Sequence, residues 1–383
     1  MNNAATPSSP RINVGLIGAG FMGKAHSLAY AAMPMFFWPA PAVPHRRMLA
    51  ELDPTVARDA ALRFGFEEST SDWRAVVQSD DVDVVDISVP NDAHAEIAIA
   101  AAQAGKHVIC EKPLARTLAD ADQMIAACRD AGVLLMYAEE LCFAPKYVRA
   151  KELADEGALG DVHLVRQGEQ HFGPHSGWFW DPDRAGGGVL MDMGCHGIEF
   201  ARWVYGKPAA ESVTAELGTF VHGDRTAAED HAVVTVRFAG NRLGVVETSW
   251  AKPGGMDDRA ELIGSTGITY VDILRGSALM TYSENGYGYA VEKAPQTSGW
   301  TFTMFEEIWN YGFPQEMRHF VECVQHGSQP AETGEDGRAV LEIIYAMYRA
   351  AGDAGRVSLP LEVSPDDAAR PPYLLWKEPA KAG

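Results

Sequence analysis

The chain has 383 residues, long for a single core, and its 47% apolar and 22% charged content is that of an ordinary globular protein, so two domains are expected. With 52 acidic and 32 basic side chains the net charge is −20, which excludes nucleic acid as a partner, because such binding rests on neutralising phosphates with Lys and Arg. No apolar run approaches the length of a membrane span, and the five cysteines (Cys110, Cys128, Cys142, Cys195 and Cys323) contain no C-x-x-C pair, so no membrane, disulfide framework or metal site is expected.

Residues 1–10, MNNAATPSSP, read as a disordered tail without a basic or apolar signal region, and a cytoplasmic location is expected. Ile12 to Ile17 reads as a buried strand, and Gly18, Gly20 and Gly23 follow at the spacing G-x-G-x-x-G, with a helix predicted from Met22 to Ala32. In that setting the first glycine permits the tight turn, the second admits a pyrophosphate to the backbone, and the third lets helix and strand pack closely. The helix N-terminus then offers free N–H groups to the phosphates. Met33 to Pro44 carries four prolines and three consecutive aromatics, which predicts a long inserted loop, either capping the core or serving as a lid or subunit contact.

Arg47 to Leu52 is the second predicted strand, and Glu51 or Asp53 at its end would hold the adenosine ribose hydroxyls. No Arg follows either acid to receive a 2′-phosphate, so NAD is the expected cofactor. Further strands are predicted at Val82–Pro90, Lys106–Cys110 and Val133–Tyr137, alternating with helices at Ala93–Ala104 and Ala119–Ala131. This alternation implies a doubly wound parallel sheet. Cofactor contacts are expected from Gly18, Gly20, Phe21, Met22, Gly23, Glu51, Asp53, Pro90, Asn91, His94, Glu111 and Lys112. Past Phe143 the pattern changes to a linking helix, Pro145–Glu156, and then to strands at Val162–Gln167, Val213–Val221, His231–Phe238, Leu243–Trp250, Ala260–Ile263 and Thr269–Leu274. Short turns between them suggest a mostly antiparallel sheet. Helices are predicted at Met304–His326 and Glu335–Ala351, and a proline-rich tail follows Pro360.

Ligands of an open α/β sheet lie beyond the carboxyl ends of its strands, which is where Glu111-Lys112-Pro113 falls. In Gly186 to His196, GGGVLMDMGCH, Asp192 and His196 are four apart and would share a helix face. The combination suits hydride transfer at a secondary alcohol: a histidine base, a carboxylate to fix its tautomer, and an ammonium to stabilise the alkoxide.

The stretches GLIGAGFMGKAH, VPNDAH, AGKHVICEKPLA and GGGVLMDMGCH resemble the Gfo/Idh/MocA family of nicotinamide-dependent sugar and polyol oxidoreductases, from Arg11 to about Ala351. The insert resembles that of the levoglucosan dehydrogenase-like subgroup. The resemblance implies a Rossmann domain (11–142), a substrate-binding and oligomerisation α/β domain with a large open, mostly antiparallel sheet (143–360) and a C-terminal tail (361–383). It implies Lys112, Asp192 and His196 as the catalytic trio, and Glu51 ahead of Asp53 as the ribose acid. The segment Tyr137 to Phe143 departs from the family's amide- or base-bearing pattern by carrying Glu139 and Glu140. Glu140, His171, His175, Trp178 and Trp180, with Asp192 and His196, form the expected substrate pocket. The apolar sheet from Val213 to Trp250 suggests a homodimer or homotetramer. The competing readings are a non-catalytic nucleotide-sensing regulator, a glycosidase that uses NAD transiently, and a metal site of Glu140, His171, His175 and His196.

Overall fold

The computed structural model describes residues 10–274, 279–283, 299–303 and 307–378. Its first half alternates β1 (Arg11–Ile17), α1 (Phe21–Phe36), β2 (Val43–Ala50), α2 (Pro54–Phe64), β3 (Glu68–Thr70), α3 (Trp73–Gln78), β4 (Val84–Ile87), α4 (His94–Gln103), β5 (His107–Glu111), α5 (Leu118–Ala131) and β6 (Leu135–Ala138). All six strands are parallel, in the order β3-β2-β1-β4-β5-β6. Helices cover both faces, so the central strands are buried along most of their length; β4 is buried at every residue, Asp86 included. The order reverses between β1 and β4, and the crevice at that switch point is where a ligand binds in such sheets.

The second half begins with α6 (Pro145–Asp155) and β7 (Val162–Gln170), followed by α7 (Pro182–Ala185) and α8 (Cys195–Val204). The strands β8 (Ala210–Gly218), β9 (His231–Phe238), β10 (Arg242–Ser249), β11 (Asp257–Gly264) and β12 (Ile268–Asp272) then form, and β13 (Leu279–Ser283) pairs with β14 (Gly299–Thr303). The chain closes with α9 (Glu307–Asn310), α10 (Phe313–His326), α11 (Gly334–Gly352), β15 (Val357–Ser358), α12 (Pro365–Ala368) and α13 (Tyr373–Lys377). The large sheet runs β12-β11-β7-β10-β9-β8-β15, antiparallel at every pairing except β7 with β10. On its inner face α8 lies close to the strands: a Cβ at Gly197 would meet Val246 Cγ1 at 2.5 Å.

Several sequence expectations change. The loop expected at Met33–Pro44 shrinks to 37–42, because α1 continues through Pro34 to Phe36 and β2 starts at Val43. Pro34 forgoes one backbone bond in the last turns of α1, and complete burial of Met33 outweighs that loss. Met35, Phe36 and Trp38 remain exposed. β3 and α3 have no counterpart among the expected elements; a three-residue strand is too short to show a period. The helix expected at Met304–His326 has its start outside the described residues, and from Glu307 onward it is two helices separated at Gly312, whose φ of +95° is left-handed. α10 and α11 return to the first half, α10 against α1 and α11 against α5 and β6, so the core runs continuously across the 142/143 boundary. Tyr137 N donates to Glu332 O at 3.1 Å on that seam.

Candidate active site

The glycine loop and the ends of β2, β4 and β5 enclose a cleft of about 470 Å³. Gly18 has φ +103°, and a Cβ there would lie 2.3 Å from Ser88 O, so no other residue makes this turn without strain. A Cβ on Gly20 would meet nothing within 4 Å, which leaves room for a ligand group against the backbone at the start of α1. Gly23 is packed against Gly18 O, so its part is helix–strand contact and not lining. Glu51 lines the cleft with its carboxylate fixed by Ala19 N (3.0 Å) and Leu52 N (2.8 Å). The fold, the open Gly20 position and the fixed carboxylate fit a dinucleotide, with phosphates at the N-terminus of α1 and ribose hydroxyls at Glu51.

Phe21, Met22, Pro90, Asn91, Glu111 and Lys112 also line this cleft, as do His175 and Trp178. Besides Gly23, two expected cofactor residues lie elsewhere. Asp53 is the N-cap of α2, its Oδ1 accepting from Thr55 N (2.7 Å) and Val56 N (3.1 Å), and it is not among the residues that line the cleft. His94 is fully buried, its Nε2 2.9 Å from Val89 O and its Nδ1 facing Pro113 O, so it ties the β4 and β5 loops together. Glu111 Oε2 accepts from Lys112 N (3.0 Å), while Oε1 lies 3.1 Å from His26 Nε2. His26 also bonds Asp86; burial opposes its charge, but the two carboxylates raise its pKa well above the usual histidine range.

A smaller chamber of about 30 Å³ opens below and shares Phe21, Met22, Lys112 and His175 with the cleft. Glu140, Glu169, His171, Asp192, His196, Glu307 and Tyr311 complete its polar lining. Lys112 Nζ donates to Asp192 O at 2.8 Å and Oδ1 at 3.4 Å, and Trp250 Nε1 donates to Asp192 Oδ2 at 3.0 Å. Burial works against both charges, but each stabilises the other: Lys112 is held well above the ordinary lysine range and Asp192 below the carboxylate range.

The expected Asp192–His196 contact does not form. Residues Leu190–Gly194 make a π-turn before α8, so the four-residue spacing does not stack the two side chains as a regular α-helix would. Asp192 is taken by Lys112 and Trp250, and His196 Nδ1 instead lies 2.6 Å from Glu139 Oε1. Its Nε2 faces the chamber, 3.8 Å from Glu140 Oε1 and 3.9 Å from Glu169 Oε2. Glu139, Cys195 and His196 bring ligand atoms within 4.8 Å of one another. Burial keeps the Cys195 thiol protonated, and it donates to Asp192 O.

Of the expected substrate residues, Glu140, His171 and His175 reach the chamber and Trp178 the cleft. Trp180 does not: its ring packs against His222 and Trp250, with the Arg225 guanidinium 4.1 Å from its centre. Glu139, Trp250 and His26 are site residues that the sequence reading misses. Glu139 carries a visible signal, the carboxylate pair after β6, whereas Trp250 is brought in only by the pairing of β10 beside β7.

Residues 12–139 match the model of an oxidoreductase family with an NAD-binding Rossmann fold, and residues 147–270 match the GFO/IDH/MocA C-terminal domain. Over 262 residues the chain is 44% identical to levoglucosan dehydrogenase of Pseudarthrobacter phenanthrenivorans, covering 62% of this chain and 67% of that one. The structure is similar to GenD2 from gentamicin A biosynthesis in complex with NAD (TM-score 0.83, 34% identity, 94% of this chain and 100% of that chain). It is also similar to levoglucosan dehydrogenase in complex with NADH and L-sorbose (TM-score 0.78, 35% identity, 92% and 100%).

Proposed function

The chain belongs to the Gfo/Idh/MocA oxidoreductases, and from that premise we propose that it oxidises a secondary ring hydroxyl of a sugar, glycoside or cyclitol with NAD, using His196 as proton acceptor. The observation that carries this reading is one buried chamber beneath the glycine loop that holds both the Lys112 ammonium and the open Nε2 edge of His196. NAD, when bound, supplies the hydride acceptor. Everything else falls to this chain. Gly18, Gly20 and the first N–H groups of α1 would hold the phosphates and Glu51 the ribose; its neighbours in the cleft, Leu52, Ser71 and Trp73, offer no cation for a 2′-phosphate.

Burial pushes His196 down to about 4, so its imidazole is neutral at pH 7, and in the tautomer that leaves Nε2 unprotonated it can take the hydroxyl proton. The Lys112 ammonium holds the substrate oxygen and stabilises its developing negative charge among side chains that are almost entirely buried. Asp192 acts through Lys112, keeping it charged and aimed. Glu140, His171 and His175 in the chamber and Trp178 in the cleft supply polar groups and an aromatic face for a ring. The test is a screen of NAD reduction against monosaccharides, anhydrosugars, glycosides and inositols. At least one ring alcohol should yield NADH, and His196→Ala should lower kcat by roughly two to four orders of magnitude with NAD affinity unchanged. Near-normal turnover by folded His196→Ala would refute the proton-acceptor role.

We also infer a homodimer or homotetramer built on the outer face of the large sheet, where Val233, Ile268 and Tyr270 are exposed on the same side. Light scattering at micromolar concentration should give a multiple of the 41.5 kDa chain, and a monomer would refute it. Five buried cysteines free of disulfides suit a reducing compartment, and we place the enzyme in the cytoplasm.

A further inference from the structure

His196 can act as a base only if something dictates which of its nitrogens carries the proton, and the structure gives Asp192 to other partners. We propose that Glu139 is the positioning residue that makes His196 a base, an inference that rests on the role proposed for His196 above. Glu139 is fully buried directly after β6. Its Oε1 lies 2.6 Å from His196 Nδ1, and its Oε2 accepts from Tyr137 OH at 3.4 Å. The imidazole is thus held from behind, with Nε2 turned to the chamber.

A single proton sits on the line between Glu139 and Nδ1, and its place decides the chemistry. With Glu139 ionised, Nδ1–H donates to the carboxylate and Nε2 presents a lone pair to the substrate hydroxyl. With Glu139 protonated, the carboxyl donates to Nδ1, the imidazole proton moves to Nε2, and no base faces the chamber. When Nε2 takes the hydroxyl proton, the resulting imidazolium lies against the Glu139 carboxylate, which balances its charge.

The two groups therefore titrate as a unit. Burial pushes Glu139 up to about 8, with the Lys112 ammonium pulling the other way and Glu111 adding to the rise. Glu140, Glu169 and Asp192 face His196 from its chamber side, Tyr137 and Cys195 are neutral neighbours, and buried Glu316 on α10 adds a further carboxyl. Below the step the pair holds two protons and is inactive for oxidation; above it the pair holds one and is active. Oxidation should rise with pH through a step on the alkaline side of neutrality. Ketone reduction, which needs the doubly protonated pair as acid, should fall through the same step.

Two measurements test this. The first is the pH profile of kcat for Glu139→Gln and Glu139→Asp with the best substrate of the panel. Glu139→Gln should lose roughly two to four orders of magnitude in kcat and also lose the alkaline rise, because an amide cannot ionise. KM and NAD affinity should stay near wild type. Glu139→Asp should keep the rise at an intermediate rate. The second uses wild-type protein without substrate, labelled at the histidine nitrogens, with the His196 signals assigned by His196→Asn. The proton should move from Nε2 to Nδ1 as pH is raised through the step. Glu139→Gln with wild-type kcat and an intact alkaline rise, or a His196 tautomer that does not change with pH, overturns the proposal. His196→Ala with normal turnover instead overturns the reading on which it rests.

Discussion

The cleft and the chamber share Lys112 and are built on different principles. The cleft, about 470 Å³, is made by backbone geometry: a left-handed Gly18, an open Gly20 and the N-terminal turn of α1. The chamber, about 30 Å³, is made by side chains that have left water almost entirely; Asp192 and His196 are each 2% exposed, and neighbouring carboxyls depend on one another for their protonation. A backbone site tolerates change around it so long as the turn survives. A buried polar site does not, because each group's charge is stabilised by a specific partner, and removing one strands the other. Chamber substitutions should therefore cut turnover and leave cofactor affinity alone, and cleft substitutions should do the reverse.

Lys112 belongs to both regions and gives the largest expected departure from that separation. Lys112→Met keeps the length and removes the ammonium, leaving the Asp192 carboxylate to Trp250 Nε1 and the more distant His171 and His175. Turnover should fall about 10²–10³-fold, and NAD affinity should fall with it, though by less. Stability should drop by about 3–5 kcal/mol at neutral pH, the usual cost of breaking a buried pair. The sign follows from Asp192: its folded pKa lies below the unfolded one, so the pair stabilises the protein above the unfolded value and ceases to as pH falls through the folded value. Thermal melts should show the gap between wild type and variant at pH 7 and its narrowing in strong acid. An unchanged NAD affinity would place Lys112 wholly in the chamber and make the separation of the two regions complete.

The same contrast explains which features the amino-acid sequence discloses. The glycine loop, the parallel strands and the Gly-terminated helices α2 and α5 depend on local backbone demands, which G-x-G-x-x-G and the apolar periods state directly. Asp53, the second choice for the ribose acid after Glu51, has a role in the structure that is also local. An Asp followed by Pro54 and Thr55 is a helix start, and that signal outweighs the ribose reading. The partners of Asp192 and His196 are not legible, because Trp250 and Glu139 lie 58 and 57 residues away in sequence, and because a π-turn spoils the four-residue rule. The packing of α10 on α1 is hidden for the same reason: nothing in either helix states which other helix will cover its apolar face.

Glu51 offers the smaller, cleaner test on the cleft side. Both of its oxygens already accept backbone donors, Oε2 from Ala19 N and Oε1 from Leu52 N, so the carboxylate is fixed before any ligand arrives. Each oxygen has a second lone pair left for a ribose hydroxyl. In Glu51→Gln one oxygen becomes an NH₂ that must face either Ala19 N or Leu52 N, donor against donor. The side chain then turns, and with it goes the acceptor for the ribose. Hydrogen bonds to charged groups are worth about 1.5–3 kcal/mol, so NAD affinity should weaken by roughly 10–100-fold. NADP should weaken less, or gain, because the negative charge facing its 2′-phosphate has gone. Turnover at saturating NAD should stay within a few-fold of wild type, since Glu51 is absent from the chamber lining. The measurement is a direct titration of both nucleotides together with kcat at saturation. A fall in kcat with unchanged NAD affinity would show that the cleft and the chamber are coupled and would reverse the assignment of Glu51 to cofactor selection.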